Sequence, residues 1–264
     1  MNRKNRILLS ELTKTDFKLR YQGSILGYLW AIIRPLLMFG IVYIVFAKFL
    51  RFGTEIPHYP VYLLVGTVLW NFFTECTNQG IQSLIIRSDL MRKISFERWV
   101  IVLSATTTAL INLGINLIVV IIFALLSGVT PSLTWFIVPF LIAELYILAF
   151  GIALLLGSIN VKFRDIGSIW EVLIQALFYA IPIIYPLSMV IAYNMTAAKL
   201  LMLNPIAQVI QDVRFCLITN ETVTGWGILQ NLPLKLLPII IVIVVFIAGT
   251  LVFKKKSKYF AEEI

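Results

Sequence analysis

The sequence has few charged residues, and acidic ones are the scarcest. Only 13% of its 264 residues are Asp, Glu, Lys or Arg, with 13 acidic residues against 22 basic ones. At the same time, 60% of the residues are hydrophobic and the mean hydropathy is +0.94. Soluble domains carry about a quarter of their residues as charged groups. The composition therefore excludes a water-soluble globule and indicates an integral membrane protein.

Residue types that carry common active-site chemistry are also scarce. His58 is the single histidine and Cys76 and Cys216 are the two cysteines, so neither a zinc ligand set nor a disulfide framework is indicated. No Gly-Lys pair occurs, which excludes a Walker phosphate loop. We therefore expect a chain that is not itself an enzyme and that binds no cofactor.

Long apolar runs, in contrast, are abundant. A helix needs roughly 20 apolar residues to cross the hydrocarbon core of a bilayer. The pattern predicts an all-α integral membrane protein with six transmembrane helices in one domain, 1–264, the first five spans lying within 28–187. The six runs are 28–50, 59–86, 100–127, 133–157, 169–187 and 235–253.

Lys and Arg residues are distributed unevenly between the connections. They cluster in the N-terminal tail, in the second connection at 87–98, in the fourth connection and in the C-terminal tail 254–264. Cytoplasmic loops retain Lys and Arg, and with six spans all four regions lie on that side. We therefore expect both termini in the cytoplasm. Because the basic residues flank apolar runs and do not line one polar face, nucleic acid is not an expected partner.

Two segments do not have the character of a span. Within 1–27, the stretch from Leu8 to Tyr21 places its leucines on one helical face, which favours an interfacial amphipathic helix over a solvated tail. The segment 188–231 is too long for a plain loop, and apolar residues follow helical spacing after Pro205. We expect short re-entrant outer helices there, with a seventh span as the alternative.

Polar residues recur at helical spacing inside three of the apolar runs. A charged group at the centre of a bilayer costs about 2.5 to 3.5 kcal/mol, so such stripes should face protein or water. They are candidates to line a hydrophilic path, and the alternative is hydrogen bonding from helix to helix. Aromatic residues nearby would suit sugar rings, and the alternative is ordinary core packing. The candidate lining residues are Asn71, Glu75, Asn78, Gln82, Asn112, Gln175, Phe72, Tyr146, Tyr179 and Tyr185.

Several short strings together resemble a known family. In order and spacing they are similar to the permease subunits of polysaccharide-export ABC transporters, and the likeness covers nearly the whole chain. The strings are Leu26-Gly27-Tyr28-Leu29-Trp30, Arg34-Pro35-Leu36, Arg164-Asp165-Ile166, Pro182-Ile183-Ile184-Tyr185-Pro186 and Asn204-Pro205.

That resemblance implies a homodimeric channel in the bacterial cytoplasmic (inner) membrane, bound by two copies of a cytoplasmic ABC ATPase. The channel would export a lipid-linked polysaccharide such as O antigen, capsule or teichoic acid. ATP and magnesium would bind the partner ATPase and not this chain. The N-terminal helix would lie on membrane lipid, where Arg20 and Arg34 are candidates for contact with headgroups.

The connection 87–98 is the candidate site of contact with the ATPase. It is cytoplasmic by charge and combines basic residues with two apolar ones that we expect to be exposed. The family often has a Phe-Pro step here, where this chain has Phe96-Glu97. The alternative is that the basic residues only set topology and hold anionic headgroups. The candidate coupling residues are Arg92, Lys93, Ile94, Phe96, Glu97 and Arg98.

Other functions stay open at the level of sequence. A permease of the same architecture could move a drug or a simple lipid. A membrane-embedded glycosyltransferase would need clustered catalytic charges at the membrane face, and only Arg164-Asp165 approaches that pattern. A proton-coupled transporter is disfavoured because Glu75 and Glu144 have no evident relay partners.

Overall fold

The computed structural model describes residues 3–21, 26–51 and 56–260, and within these ranges every regular element is a helix. The predicted all-α class is therefore confirmed. The α-helices are α1 (Arg3–Tyr21), α2 (Trp30–Val42, continued by a π-helical stretch, Tyr43–Phe49), α3 (Tyr59–Ile86), α4 (Ser88–Lys93), α5 (Trp99–Leu126), α6 (Val138–Asn160), α7 (Asp165–Ala180), α8 (Leu187–Tyr193), α9 (Met195–Met202), α10 (Pro205–Leu217), α11 (Gly225–Ile228) and α12 (Leu232–Lys256).

The six predicted apolar runs correspond to α2, α3, α5, α6, α7 and α12. In the described part of the chain, four helical stretches are long and apolar enough to cross a membrane: Trp30–Phe49, Trp99–Leu126, Leu133–Asn160 and Leu232–Lys256. α3 is long enough at 28 residues but carries the polar stripe, and α7 has only 16 residues. Length and composition thus establish a multi-pass membrane protein.

α3 is the central helix, and most of it is buried. It packs against α5 and α6, and α6 packs in turn against α12. Glycines bring α6 and α12 close together, because a Cβ on Gly249 would collide with the backbone carbonyl of Gly151. In a bilayer the hydrophobic effect does not drive helices together, because lipid tails are as apolar as the helix surface. Small residues at helix crossings let the backbones approach closely and gain packing contacts instead. This packing holds α3, and with it the polar stripe, in one orientation.

α7 ends at Ala180, although the predicted apolar run continues to residue 187. Pro182 lacks the N–H that a helix needs, and the residue before a proline is disfavoured in the α region. Beyond this break, the short helices predicted within 188–231 are present as α8 to α11. α10 begins where the Asn204 side chain accepts the N–H of Ile206 at 2.9 Å, and it is buried almost throughout against α3 and α6.

α1 and the C-terminal end of α12 both lie near the second connection. α1 packs along α5. α12 continues through Lys256, and Phe260 is fully buried in an apolar cluster that includes Phe253 and Met91. The predicted basic tail 254–264 is therefore partly helical and anchored by an aromatic side chain. Residues 261–264 and the Arg20 side chain lie outside the described part.

Candidate functional site

A cleft of about 730 Å³ opens between α2, α3 and α5, and amide and carboxylate groups are set among its mostly apolar walls. α2 contributes Trp30 and Arg34 to its walls, and α3 contributes most of the predicted stripe. Three helices therefore combine their polar faces around one open space. The amide and carboxylate groups along the cleft belong to Asn71, Glu75, Asn78, Gln79, Asn112 and Asn116.

Hydrogen bonds hold part of this polar surface in place. Glu75 Oε1 accepts from Asn112 Nδ2 at 2.7 Å and from Gln79 Nε2 at 3.1 Å. Asn116 Nδ2 donates to the carbonyl oxygen of Ala31 at 3.3 Å, which ties α5 to α2. The helix-to-helix bonding that was the alternative explanation of the stripes is thus real, and the same residues also border the cleft.

The cleft also has apolar surface beside its amides. Trp30 is 39% exposed at its edge, whereas Phe72 is 3% exposed and serves as a wall. Asn71 is exposed and Asn78 is half-buried, so their amides border open space. Amides donate and accept hydrogen bonds, and an indole face covers an apolar ring. Such a surface can bind a ligand that is hydroxylated at its edges and apolar on its faces.

Two of the predicted lining residues lie behind the cleft. Gln82 faces α7, where a Cβ on Gly167 would meet its amide nitrogen at 2.5 Å. Tyr146 stacks on Phe72 with ring centroids 6.5 Å apart, and its hydroxyl lies 3.2 Å from that of Thr106. Both side chains pack between helices in this chain: Gln82 lies on the side of α3 that meets α7, and Tyr146 lies on α6, which packs against α3.

The other three predicted residues also lie away from the cleft. Gln175 and Tyr179 are exposed on α7. The Tyr185 hydroxyl donates to the carbonyl oxygen of Ala180 at 3.0 Å, so it satisfies the end of that helix. Helical spacing identified these polar and aromatic positions, but spacing within one helix does not reveal which neighbour that helix meets.

Several residues of the cleft were missing from the predicted lining set, among them Gln79, Asn116 and Trp30. Gln79 lies four residues after Glu75, and Asn116 lies four residues after Asn112, so the i, i+4 rule would have included both. Trp30 was noted only within a family string. An aromatic residue at the start of a span usually indicates an interfacial anchor, and only the tertiary structure brings it to the cleft.

The second connection forms one wall of a basic groove of about 450 Å³, and Ser257 and Lys258 form another. Arg92 and Lys93 are exposed, and Ile94 is 44% exposed. Phe96, which was expected to be exposed, is half-buried against the apolar cluster. The expectation that both Ile94 and Phe96 are exposed is therefore wrong for Phe96. Of these two residues, only Ile94 is an exposed apolar side chain. Glu97 accepts a hydrogen bond from the Trp99 indole at 2.5 Å, and Arg98 also lines the groove.

α1 is joined to both ends of this connection. Lys4 Nζ donates to the carbonyl oxygen of Ser95 at 2.7 Å. Asp16 forms an ion pair with Arg87 at the start of the connection. The N-terminal helix therefore does not lie independently of the loop, and a displacement of either one would be transmitted to the other.

A protein-family model described as "ABC-2 type transporter" matches residues 8–218. The match includes all the residues of the cleft and the whole of the second connection. The chain belongs to the ABC-2 type transporter family. Membership makes it a membrane transport subunit.

Curated relatives of this transporter carry a common name. A Myxococcus xanthus protein named O-antigen export system permease protein RfbA is 30% identical over 259 residues, which cover 97% of this chain and 95% of that protein. Two Klebsiella pneumoniae proteins of the same name are each 32% identical over 202 residues, covering 74% of this chain and 77% of theirs. The similarity thus extends over most of both chains.

Proposed function

We propose that this transporter is the membrane subunit of an ATP-driven exporter of lipid-linked polysaccharide, such as O antigen, capsule or teichoic acid, in the bacterial cytoplasmic membrane. Two copies form the channel, and two copies of a cytoplasmic ABC ATPase bind ATP and magnesium and drive it. The relatives named for O-antigen export support this cargo. The observation that carries the proposal is the amide-lined cleft.

The chemistry of the cleft favours a glycan over a purely apolar cargo. Its polar groups are mostly carboxamides, with Glu75 and Arg34 as the charged groups on its walls. A drug or simple lipid would displace water from the amides of Asn71 and Asn78, which border open space, without replacing its hydrogen bonds, at a cost of about 1 to 3 kcal/mol for each. A glycan replaces water with its own hydroxyl groups, and Trp30 offers a face for a sugar ring.

The proposed topology has six crossings, made by α2, α3, α5, α6, α7 and α12, with both termini cytoplasmic. The basic residues in both tails and in the second and fourth connections support that orientation. Most of the polar stripe of α3 faces the cleft with α2 and α5, which spares it the cost of facing lipid. The helices α8 to α10 then lie on the outer side and dip into the outer leaflet.

A second copy of the chain is supported by the surface of α7. Within this helix only Gly167 and Ile174 are buried, while Glu171, Gln175 and Tyr179 are exposed. A carboxylate and an amide that face lipid are costly, so another protein surface should cover them. In a homodimer these residues would face the partner copy, which would return Gln175 and Tyr179 to the proposed channel.

The contact with the ATPase is assigned to the groove of the second connection. Ile94 is an exposed apolar side chain inside a charged rim formed by Arg92, Lys93 and Arg98. Small interfaces concentrate their binding energy in such anchors, and truncating one costs about 2 kcal/mol or more. The rim is basic, so it fits an acidic surface on the partner.

Copurification of the ATPase tests this assignment. We expect Ile94→Ala, combined with charge reversal at Arg92 and Lys93, to abolish copurification and export while the chain still inserts. Charge reversal at Lys162, an exposed basic residue of the fourth connection that does not line the groove, is the matched control. Undiminished copurification and export in the correctly inserted loop variant would refute the assignment.

The cargo is tested by reconstituting both subunits in proteoliposomes. Lipid-linked glycan should stimulate ATP hydrolysis, and a hydrophobic drug or a phospholipid without glycan should not. Stimulation by the drug or the bare lipid alone would replace the glycan proposal with the drug or lipid permease considered from the sequence.

A further inference from the structure

Residues 181–186, which join α7 to α8, are irregular yet buried. Ile181, Ile183 and Ile184 are each no more than 4% exposed, although the segment belongs to no helix. Buried carbonyl groups need hydrogen-bond donors, and at membrane depth an irregular backbone persists only where protein supplies them. The conformation of this segment therefore depends on the hydrogen-bond donors that reach its carbonyl groups.

Side chains from two other helices supply those donors. Arg214 of α10 donates from Nη1 to the carbonyl oxygen of Pro182 at 2.8 Å and from Nη2 to that of Ile183 at 2.6 Å. The hydroxyl of Tyr59 on α3 donates to the carbonyl oxygen of Ile184 at 2.6 Å. Tyr185 satisfies the end of α7 in the same way, so side-chain donors serve most of the carbonyl groups at the break, while that of Ile181 accepts the N–H of Ile183 at 2.7 Å.

Arg214 is the centre of this arrangement, and it is fully buried. Its Nε donates to the carbonyl oxygen of Tyr62 at 3.0 Å, and its guanidinium carbon lies 3.5 Å from the centre of the Tyr62 ring. Gly66, one turn along α3, leaves room for the guanidinium, because a Cβ there would collide with Nη2. Arg214 thus joins α10, α3 and the irregular segment through three carbonyl oxygens and one aromatic face.

We propose that Arg214 is the positioning residue that keeps segment 181–186 closed at the outer end of the transport path, and that releasing its bonds to Pro182 and Ile183 opens that end. This inference rests on the proposed function, whose topology places the segment on the outer side of the membrane. A few side-chain donors hold the segment and no continuous helix does, so breaking those bonds frees it to change conformation. α3 connects the two regions physically, since it carries Tyr62 at one end and the cleft residues further along.

The test uses a cysteine reporter within the segment. In a background lacking Cys76 and Cys216, Ile183→Cys creates a thiol at a fully buried position without removing the carbonyl that Arg214 binds. A membrane-impermeant maleimide then measures how often the segment opens. Without turnover the reporter should be protected, and with the partner ATPase hydrolysing ATP it should react.

Arg214→Met and Arg214→Lys are the matched pair. Both replacements are unbranched and of similar length, but only lysine keeps a charged donor. Removing two bonds from a charged group should raise the labelling rate of the reporter by about tenfold or more in the Met variant, with lysine restoring part of the protection. Equal labelling in the two variants would mean that only side-chain volume matters, which contradicts the proposal.

Export measurements complete the test. The Met variant should insert and bind the ATPase but export poorly, because the outer end no longer closes. If the reporter stays protected in the Met variant, Arg214 does not hold segment 181–186 in place. If labelling increases but export stays normal, the position of the segment has no role in transport. If the Met variant fails to insert, Tyr59→Phe serves instead, since it removes one bond to the same segment and should raise labelling a few-fold.

The labelling experiment does not depend on the cargo. If lipid-linked glycan proves not to be exported but the reporter still responds to Arg214→Met, the positioning role stands and the proposed cargo falls. If glycan is exported and the reporter never reacts during turnover, the cargo stands and the positioning role falls.

Discussion

The polar regions around Arg214 and around Glu75 differ in how much of their hydrogen bonding is already used. Around Arg214, every guanidinium nitrogen donates to a backbone carbonyl and the group is fully buried. Around Glu75, hydrogen bonds to Asn112 and Gln79 coexist with an open volume of about 730 Å³. The first region is closed and the second is open.

This difference separates two uses of polar residues inside a membrane protein. A closed network holds an irregular backbone and leaves nothing for a ligand, so its loss should lower stability first. An open network keeps amides at the edge of a space, so its loss should lower transport first. Polarity alone, which both regions share, does not distinguish them.

The largest effect is expected in the closed region, from Gly66→Ala. The new methyl group would displace a guanidinium that three carbonyl oxygens hold, and the free energy of unfolding should fall by about 2 to 4 kcal/mol. Thermal unfolding in detergent measures it. Gly114→Ala on α5 is the control, because no atom lies within 4 Å of a Cβ there. Equal stability of the two variants would break the distinction between closed and open regions.

The open region should respond in export and not in stability. Gln79 and Gln82 are matched residues on α3, since one lines the cleft and the other faces α7. We expect Gln79→Ala to lower export about tenfold, the equivalent of one lost hydrogen bond to cargo, and Gln82→Ala to change it far less. Export is measured as surface polymer at matched protein levels. A larger loss of export in Gln82→Ala than in Gln79→Ala would instead place Gln82 in the channel lining.

Accessibility sharpens the same comparison without any cargo. In a background without Cys76 and Cys216, Asn78→Cys should react with a membrane-impermeant thiol reagent in at least one transport state. Gln82→Cys should react more slowly, because its side chain packs against Gly167. Protection of both positions in every state would favour purely interhelical roles for the whole stripe.

The smallest effect is expected from Tyr62→Phe. This change removes the hydroxyl that lies 3.2 Å from the Gln211 side chain but keeps the ring under the guanidinium. The free energy of unfolding should fall by less than about 1 kcal/mol. Tyr62→Leu, which also removes the ring, should cost more in the same unfolding assay, and a smaller loss for leucine would contradict the stacking contribution.

Sequence reasoning found the helices more reliably than the surroundings of their side chains. The stripe on α3 was identified from spacing, and Asn71, Glu75 and Asn78 do line the cleft. Gln82 follows the same spacing yet meets α7, and Phe96 looked exposed yet packs on the apolar cluster. Arg214 was not singled out at all, because one basic residue in a mixed segment gives no sign of what it will contact.

Composition and periodicity by themselves determined that this chain is a helical membrane protein, where its apolar helices lie, and which faces of them are polar. These properties are local, since they depend on hydropathy over a window and on 3.6 residues per turn. The tertiary structure alone decided that α2, α3 and α5 enclose one cleft, that the break which Pro182 causes after α7 is buried, and that Arg214 fills it. Those outcomes depend on which helices approach each other, and residues far apart in the chain set that through packing.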